Sequence, residues 1–324
     1  MIKWGIMALG TIAEKFAYTL QQKGEGRLYA VASRSLEKAE AFASKYGDVK
    51  YFGSYEELCN CKEVDAIYIS TPNNMHFENC RQALEAGKHV LCEKPFTTNT
   101  QQAKELYSLA EEKGLFIMEA LWIYHLPLLK KAAELVAKGE IGDVNYIRAD
   151  YGFTAEGARR ERKFLSSLGG GALLDVGVYN LAFAKMIYRK DPVNIKTDRI
   201  LNEYGTDSFG TLLADYGDNK FAALTSAIGI KMPTEGVIYG TKGKIYFPNY
   251  QKAEYMKITY NDGTEKEYNS PFEINGFEYQ IEEAEKCILS HLQESPNYPH
   301  QESIGIMQSL EDIRKLWGMK FEFE

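Results

Sequence analysis

Residues 5–13 read Gly5-Ile6-Met7-Ala8-Leu9-Gly10-Thr11-Ile12-Ala13, an apolar run that breaks on small residues and passes into a helical pattern. A strand feeding a helix through such a turn opens a βαβ unit, and the free N–H groups at the helix start favour a phosphate. The dinucleotide fingerprint is G-x-G-x-x-G/A, and its three positions are held here by Ala8, Gly10 and Ala13. Gly10 lets the main chain approach a pyrophosphate, and Ala13 lets the helix pack closely on the sheet. The first glycine is replaced. On this reading Ala8, Gly10, Thr11 and Ile12 are cofactor-binding candidates.

The flanks repeat the unit. Short β-branched runs over 2–7, 27–33, 66–70, 89–92 and 116–119 alternate with helical stretches over 12–22, 36–46, 75–86 and 100–113. The last helix closes on Gly114, a suitable C-cap. With right-handed crossovers, this order predicts a Rossmann-type, doubly wound parallel sheet over residues 1–120. Beyond 120 a helix over 127–138 leads into longer Tyr- and Thr-rich runs with period-two alternation, over 144–151, 207–216 and 221–228. Turns such as Tyr216-Gly217-Asp218-Asn219 separate them, and helices are expected over 172–188 and 303–316. Residues 121–324 are thus expected to form an α+β domain with a large, mostly antiparallel, open-faced sheet for substrate binding and oligomerisation. The fold class is α/β.

Bulk properties agree with two globular domains: 324 residues, 45% apolar and 26% charged. A net charge of −7 without any basic block argues against a nucleic-acid or anionic-membrane partner. No apolar run approaches the roughly 20 residues that span a bilayer, and the opening residues already read as a strand. A cytoplasmic location with a small-molecule partner is the expectation. Five scattered cysteines suit a reducing compartment. Cys59 and Cys61 lack a second pair, and His125, His291 and His300 do not cluster, so no metal is expected.

The end of the second strand is where a ribose-binding carboxylate sits in NAD enzymes; here it reads Ser33-Arg34-Ser35. An arginine there pairs with a 2′-phosphate that a carboxylate would repel. Ser33 and Arg34 therefore favour NADP over NAD.

Two further segments narrow the reading. Residues 70–76 are Ser70-Thr71-Pro72-Asn73-Asn74-Met75-His76, and residues 86–95 are Ala86-Gly87-Lys88-His89-Val90-Leu91-Cys92-Glu93-Lys94-Pro95. The chain resembles the glucose–fructose oxidoreductase / inositol dehydrogenase (Gfo/Idh/MocA) family, with its T-P-N-x-x-H and A-G-K-H-V-x-x-E-K-P stretches. Met118-Glu119-Ala120-Leu121-Trp122 and Gly169-Gly170-Gly171-Ala172-Leu173-Leu174-Asp175-Val176-Gly177-Val178-Tyr179 look closest to its trans-dihydrodiol dehydrogenase and NADP-linked xylose dehydrogenase branch. The resemblance implies coenzyme contacts from Thr71, Pro72, Asn73, Glu93 and Lys94, and a cis Lys94–Pro95 bond.

The chemistry of these residues gives the same direction. Lys94 follows the carboxyl end of a strand, where ligands sit in open parallel sheets. A partly desolvated lysine there can exchange a proton with a substrate hydroxyl. Asp175 and Tyr179 are four apart on an expected helix and share a face. Where related dehydrogenases often carry histidine at the second of these positions, this chain has tyrosine, as in the dihydrodiol dehydrogenase branch. Lys94 and Tyr179 form the expected proton-transfer pair, with Asp175 orienting substrate or lysine; the residues leave open which of the two carries the proton. His76 is read as a cofactor contact or a helix cap. Trp122 and Phe153 are candidate walls for nicotinamide and substrate, and Phe277 is a further substrate candidate.

The function these features imply is hydride transfer between NADP(H) and a CH–OH or C=O group of a sugar, polyol or diol. Two alternatives share the cofactor: an NADP(H)-binding redox sensor without turnover, and a redox-neutral glycosidase-type reaction. The tyrosine-rich sheet face, and the family branch, imply a homodimer through the C-terminal sheet.

Overall fold

The β-branched runs of the first third pair as one parallel sheet. The computed structural model describes residues 1–23 and 26–324. Its first elements are β1 (Lys3–Met7), α1 (Thr11–Lys23), β2 (Arg27–Ala32), α2 (Leu36–Ala43), β3 (Lys50–Phe52), α3 (Tyr55–Cys59), β4 (Ala66–Ile69), α4 (His76–Glu85), β5 (His89–Glu93), α5 (Thr100–Lys113) and β6 (Ile117–Ala120). The strand order is β3-β2-β1-β4-β5-β6, all parallel, so the winding reverses between β1 and β4. β3 and α3 are too short for periodicity to announce, and the sequence reading omits both. α5 has the expected bounds, with Asn99 accepting the Gln102 N–H as N-cap and Gly114 left-handed at its end.

Burial of aromatic side chains fastens α1 to this sheet. Phe16 stacks on Tyr68 of β4 with ring centroids 3.9 Å apart and meets Trp4 of β1 edge-on at 5.4 Å. Each such ring pair contributes about 1 kcal/mol beyond its buried area.

The chain then continues through α6 (Pro127–Ala137), β7 (Val144–Thr154), α7 (Ala158–Phe164), α8 (Val178–Tyr188) and β8 (Asn194–Leu201). There follow β9 (Asp207–Asp215), β10 (Phe221–Ala227), β11 (Gly229–Met232), β12 (Gly236–Gly240), β13 (Gly243–Phe247), β14 (Tyr255–Tyr260) and β15 (Glu265–Asn269). These strands make a nine-stranded sheet in the order β15-β14-β13-β12-β7-β10-β9-β8, with β11 also on β7. Only the β7–β10 pair is parallel, so the sheet is mostly antiparallel, as expected. α8 is buried along its whole length against it. Phe183 packs on Phe247 and Tyr250, and the contact is close enough that a Cβ on Gly236 would lie 2.9 Å from the Phe183 ring.

Two helices close the chain, α9 (Glu278–Leu289) and α10 (His300–Leu316). The chain divides into two compact units: Met1–Trp122 with Glu273–Ile304, and Ile123–Phe272 with Gly305–Glu324. No helix among the described residues is long and apolar enough to cross a membrane.

Candidate functional site

In the first unit the residues singled out from the sequence lie at the carboxyl ends of successive parallel strands. Ala8 and Gly10 follow β1, Ser33 and Arg34 follow β2, Thr71 to Asn73 follow β4, Lys94 follows β5, and Trp122 follows β6. Ala8 has φ +71°, the left-handed conformation that glycine would adopt at that fingerprint position without strain. Its N–H donates to Ala32 O (3.1 Å) and its carbonyl accepts from Ser70 Oγ (3.0 Å), so the turn is held on both sides. Gly10 O accepts the Glu14 N–H (3.1 Å) and starts α1; Thr11 is exposed and Ile12 half-buried. Arg34 is exposed between β2 and Ser35, the N-cap of α2, and its charge reaches the half-buried Tyr55 hydroxyl of α3.

The turn after β5 is gripped from several sides. Lys94–Pro95 is cis, and Lys94 is half-buried. His76 is fully buried, with Nδ1 2.8 Å from Pro95 O and Nε2 2.9 Å from Thr71 O. A neutral ring donates to one of these carbonyls and an imidazolium to both; burial pushes its pKa down, and the two carbonyls oppose that. Thr71 Oγ1 in turn accepts from Asn79 Nδ2 (2.9 Å). The buried Glu93 carboxylate accepts the Tyr68 hydroxyl; burial pushes its pKa up, while that hydrogen bond and the Lys94 and Lys15 charges pull it down.

Trp122 and Phe277 meet in the same unit, ring centroids 5.5 Å apart, with Lys15 Nζ 4.5 Å from the first and 4.1 Å from the second. Lys15 was not singled out from the sequence, although it stands one turn into α1 from Gly10. Both rings are 4% exposed.

In the second unit, the helix expected over 172–188 is in two parts. A π-helical turn, Leu173–Gly177, precedes α8, and the Val178 N–H donates five residues back to Leu173 O. The start of the turn is anchored by Asp207. Gly171, at φ +118°, sits so close to Asp207 that a Cβ would lie 2.3 Å from Oδ1, and Asp207 Oδ2 accepts the Leu173 N–H (2.7 Å). Asp175 lies on the π turn and Tyr179 on α8. Asp175 is ion-paired with Lys163, whose ammonium also lies 4.9 Å over the Phe153 ring. Tyr151 joins Phe153 and Tyr179, with centroids 6.3 and 5.9 Å away. This unit therefore gathers Asp175, Tyr179 and Phe153, and adds Lys163 and Tyr151. The only sequence sign of Lys163 is the basic run Arg159-Arg160-Glu161-Arg162-Lys163.

Chemically, the first unit offers a main-chain cradle for an anion, an exposed cation and a half-buried lysine beside a buried carboxyl group. The second offers hydroxyl and carboxylate groups on an aromatic floor.

Comparison with known proteins gives the family. A family model described as "Oxidoreductase family, NAD-binding Rossmann fold" matches residues 2–121, and the GFO/IDH/MocA C-terminal domain model matches residues 129–246. The trans-1,2-dihydrobenzene-1,2-diol dehydrogenase of Xenopus tropicalis is 33% identical over 98% of this chain and 99% of its own. That of Homo sapiens is 31% identical over 99% and 98%. Among solved structures, KijD10, a 3-ketoreductase from Actinomadura kijaniata in complex with NADP and TDP-benzene, is 25% identical over 97% of each chain, with a TM-score of 0.86. An aldose–aldose oxidoreductase from Caulobacter crescentus, 22% identical over 97% of this chain and 96% of its own with a TM-score of 0.87, shares the fold. Matches over both halves and full-length relatives above 30% identity leave one conclusion: the chain belongs to the GFO/IDH/MocA oxidoreductase family.

Proposed function

We propose that this chain transfers a hydride between NADP(H) and a CH–OH or C=O group of a sugar, polyol or diol, with Lys94 and Tyr179 as the proton-transfer pair. The observation that carries the reading is the row of side chains along the carboxyl edge of the parallel sheet, Arg34 after β2 and Lys94 after β5 above all. That edge fits the coenzyme. Ala8 keeps the left-handed turn of a fingerprint glycine, Gly10 opens α1 without a side chain, and the loop after β2 carries a cation where NAD enzymes carry a carboxylate. The 3-ketoreductase neighbour was solved with NADP, which agrees with the choice of Arg34.

Bound there, the coenzyme supplies the hydride donor or acceptor. Gly10, Thr11 and Ile12 hold its pyrophosphate, and Ser33 and Arg34 its ribose phosphate. Thr71, Pro72, Asn73 and Trp122 border its nicotinamide end, while His76 and Glu93 hold the turn that carries Lys94. Lys94 takes the proton from the substrate hydroxyl oxygen, directly or through Tyr179, and returns it when the reaction runs the other way. Asp175, tied to Lys163, orients the substrate hydroxyls, with Phe153 and Phe277 as apolar walls. The trans-1,2-dihydrobenzene-1,2-diol dehydrogenases and the 3-ketoreductase among the relatives support a substrate that carries a CH–OH or C=O group.

The test is a panel of aldoses, inositols and trans-1,2-diols with NADP⁺, and of matching ketones with NADPH, followed at the nicotinamide absorbance band. Turnover of at least one pair is expected. Coenzyme binding with no turnover across the panel would favour a sensor, and product without net coenzyme change would favour a redox-neutral reaction.

We further place the enzyme in the cytoplasm, because its five cysteines are all unpaired and buried. A homodimer through the nine-stranded sheet is supported by Leu213, Phe221 and Tyr146, exposed by 44%, 37% and 37% on adjoining strands of one face.

A further inference from the structure

Glu119 of β6 is a carboxylate 2% exposed, and the reaction proposed above does not use it. Its Oε1 accepts the Phe96 main-chain N–H (3.0 Å); its Oε2 accepts the Tyr298 and Ser303 hydroxyls, both at 2.6 Å. Three donors on one buried carboxylate make a satisfied site rather than a stray charge. The Phe96 N–H belongs to the same peptide unit as the Pro95 carbonyl, which lies 2.8 Å from His76 Nδ1. The plane that follows Lys94–Pro95 is thus held from both edges, by an imidazole on its oxygen and a carboxylate on its nitrogen. Phe96 itself is fully buried and stacks on Tyr107, which stacks on His300, with centroids 4.7 and 3.9 Å apart.

We infer that Glu119 is a positioning residue for Lys94: by fixing the Pro95–Phe96 peptide plane, it sets the direction in which the lysine leaves the turn. The inference rests on the reading that places Lys94 at the reacting centre. Such a role explains why β6 keeps a carboxylate where an apolar residue would be cheaper to bury, since an unpaired N–H beside the lysine costs about 1–3 kcal/mol. The titratable groups around it are Lys94 on the turn, Cys92 of β5, Tyr107 of α5 and Tyr298 of the returning segment. Burial pushes the Glu119 carboxyl above the usual carboxylate range, while its three donors and the Lys94 charge pull it back toward ionisation.

The experiment compares Glu119→Gln and Glu119→Met with the full-length wild type, using NADP⁺ with trans-cyclohexane-1,2-diol or D-xylose, whichever turns over. Glutamine keeps an oxygen for the Phe96 N–H and methionine does not. For Glu119→Met, kcat is expected to fall by about 10²-fold with little change in the NADPH Kd, the scale of a misplaced catalytic group. Glu119→Gln should restore kcat to within a few-fold. Rescue of kcat by glutamine, with the NADPH Kd unchanged in both variants, separates the hydrogen bond to the Phe96 N–H from a merely structural role. Wild-type kcat in Glu119→Met, or a kcat in Glu119→Gln as low as in Glu119→Met, overturns the inference. If Glu119→Met does not fold, Glu119→Asp, whose shorter side chain draws the oxygen back from the Phe96 N–H, is read in its place, and a wild-type kcat there overturns it. Lys94→Met is run beside them. Turnover in that variant would remove the functional reading itself, which is a different failure.

Discussion

Arg34 is the residue on which coenzyme choice turns. It is exposed at the end of β2 with no carboxylate beside it in the Ser33-Arg34-Ser35 loop, so its guanidinium can meet a 2′-phosphate in a charge-assisted, bidentate contact. Removing such a contact costs about 1.5–3 kcal/mol. Arg34→Ala should therefore weaken NADPH about 10- to 100-fold and leave NADH unchanged, as isothermal titration can show. Equal losses for both coenzymes would mean that Arg34 does not read the phosphate. This residue was legible because its place follows from strand order alone. Ala8 was half legible: the missing glycine is plain in the sequence, but not that the backbone keeps the left-handed turn at φ +71° regardless. The Asp175–Lys163 pair was not legible, since its partners stand 12 residues apart and belong to no common helix or strand.

At the scale of elements, Asp207 carries the most informative local physics. It is fully buried at the start of β9, and its carboxyl is pushed up to about 7 by burial, against the pull of main-chain N–H groups and Arg314. Its ordinary value is 3.8, so the unfolded chain releases the proton first as pH rises. The native state then carries a growing penalty from about pH 4 to pH 7, with an upper bound of about 4 kcal/mol. Asparagine does not titrate and can still accept the Leu173 N–H. Asp207→Asn should accordingly gain stability over the wild type at pH 8, keep only part of that advantage at pH 5 and lose it by about pH 3.5, measured by urea unfolding. A difference that does not change with pH would contradict this.

The longer elements that sequence patterns miss lack a clean apolar pattern. α9 escaped notice because Glu278, Gln280, Glu283 and Glu285 are all buried in it, which erases the apolar stripe. Glu278 is buried because it accepts the N–H groups of Ile274, Asn275 and Gly276, and Glu285 because it accepts Trp4 Nε1–H. Neither the local main-chain partners of Glu278 nor the distant indole partner of Glu285 leaves a periodic trace. β8, with exposed residues at every second position and at its end, reads no better. β4, β5 and β6 of the parallel sheet, buried on both faces, were the easiest to read.

For the whole molecule, fold class followed from the switch between βα alternation and period-two runs, and the family comparisons agree with it. Assembly is the property left for measurement. Light scattering at micromolar concentration should give twice the chain mass of 36.7 kDa, and Leu213→Arg, set among Phe221 and Tyr146, should shift it to the monomer. A wild-type monomer would contradict the proposed sheet interface.

The central claim is that Lys94 serves the proton transfer of an NADP-dependent oxidoreduction. Its most direct measurement is the turnover of Lys94→Met beside the wild type on the same substrate, with NADPH binding followed by fluorescence in both. We expect a kcat lower by about 10²- to 10⁴-fold with coenzyme affinity nearly unchanged. Wild-type turnover in Lys94→Met would contradict it.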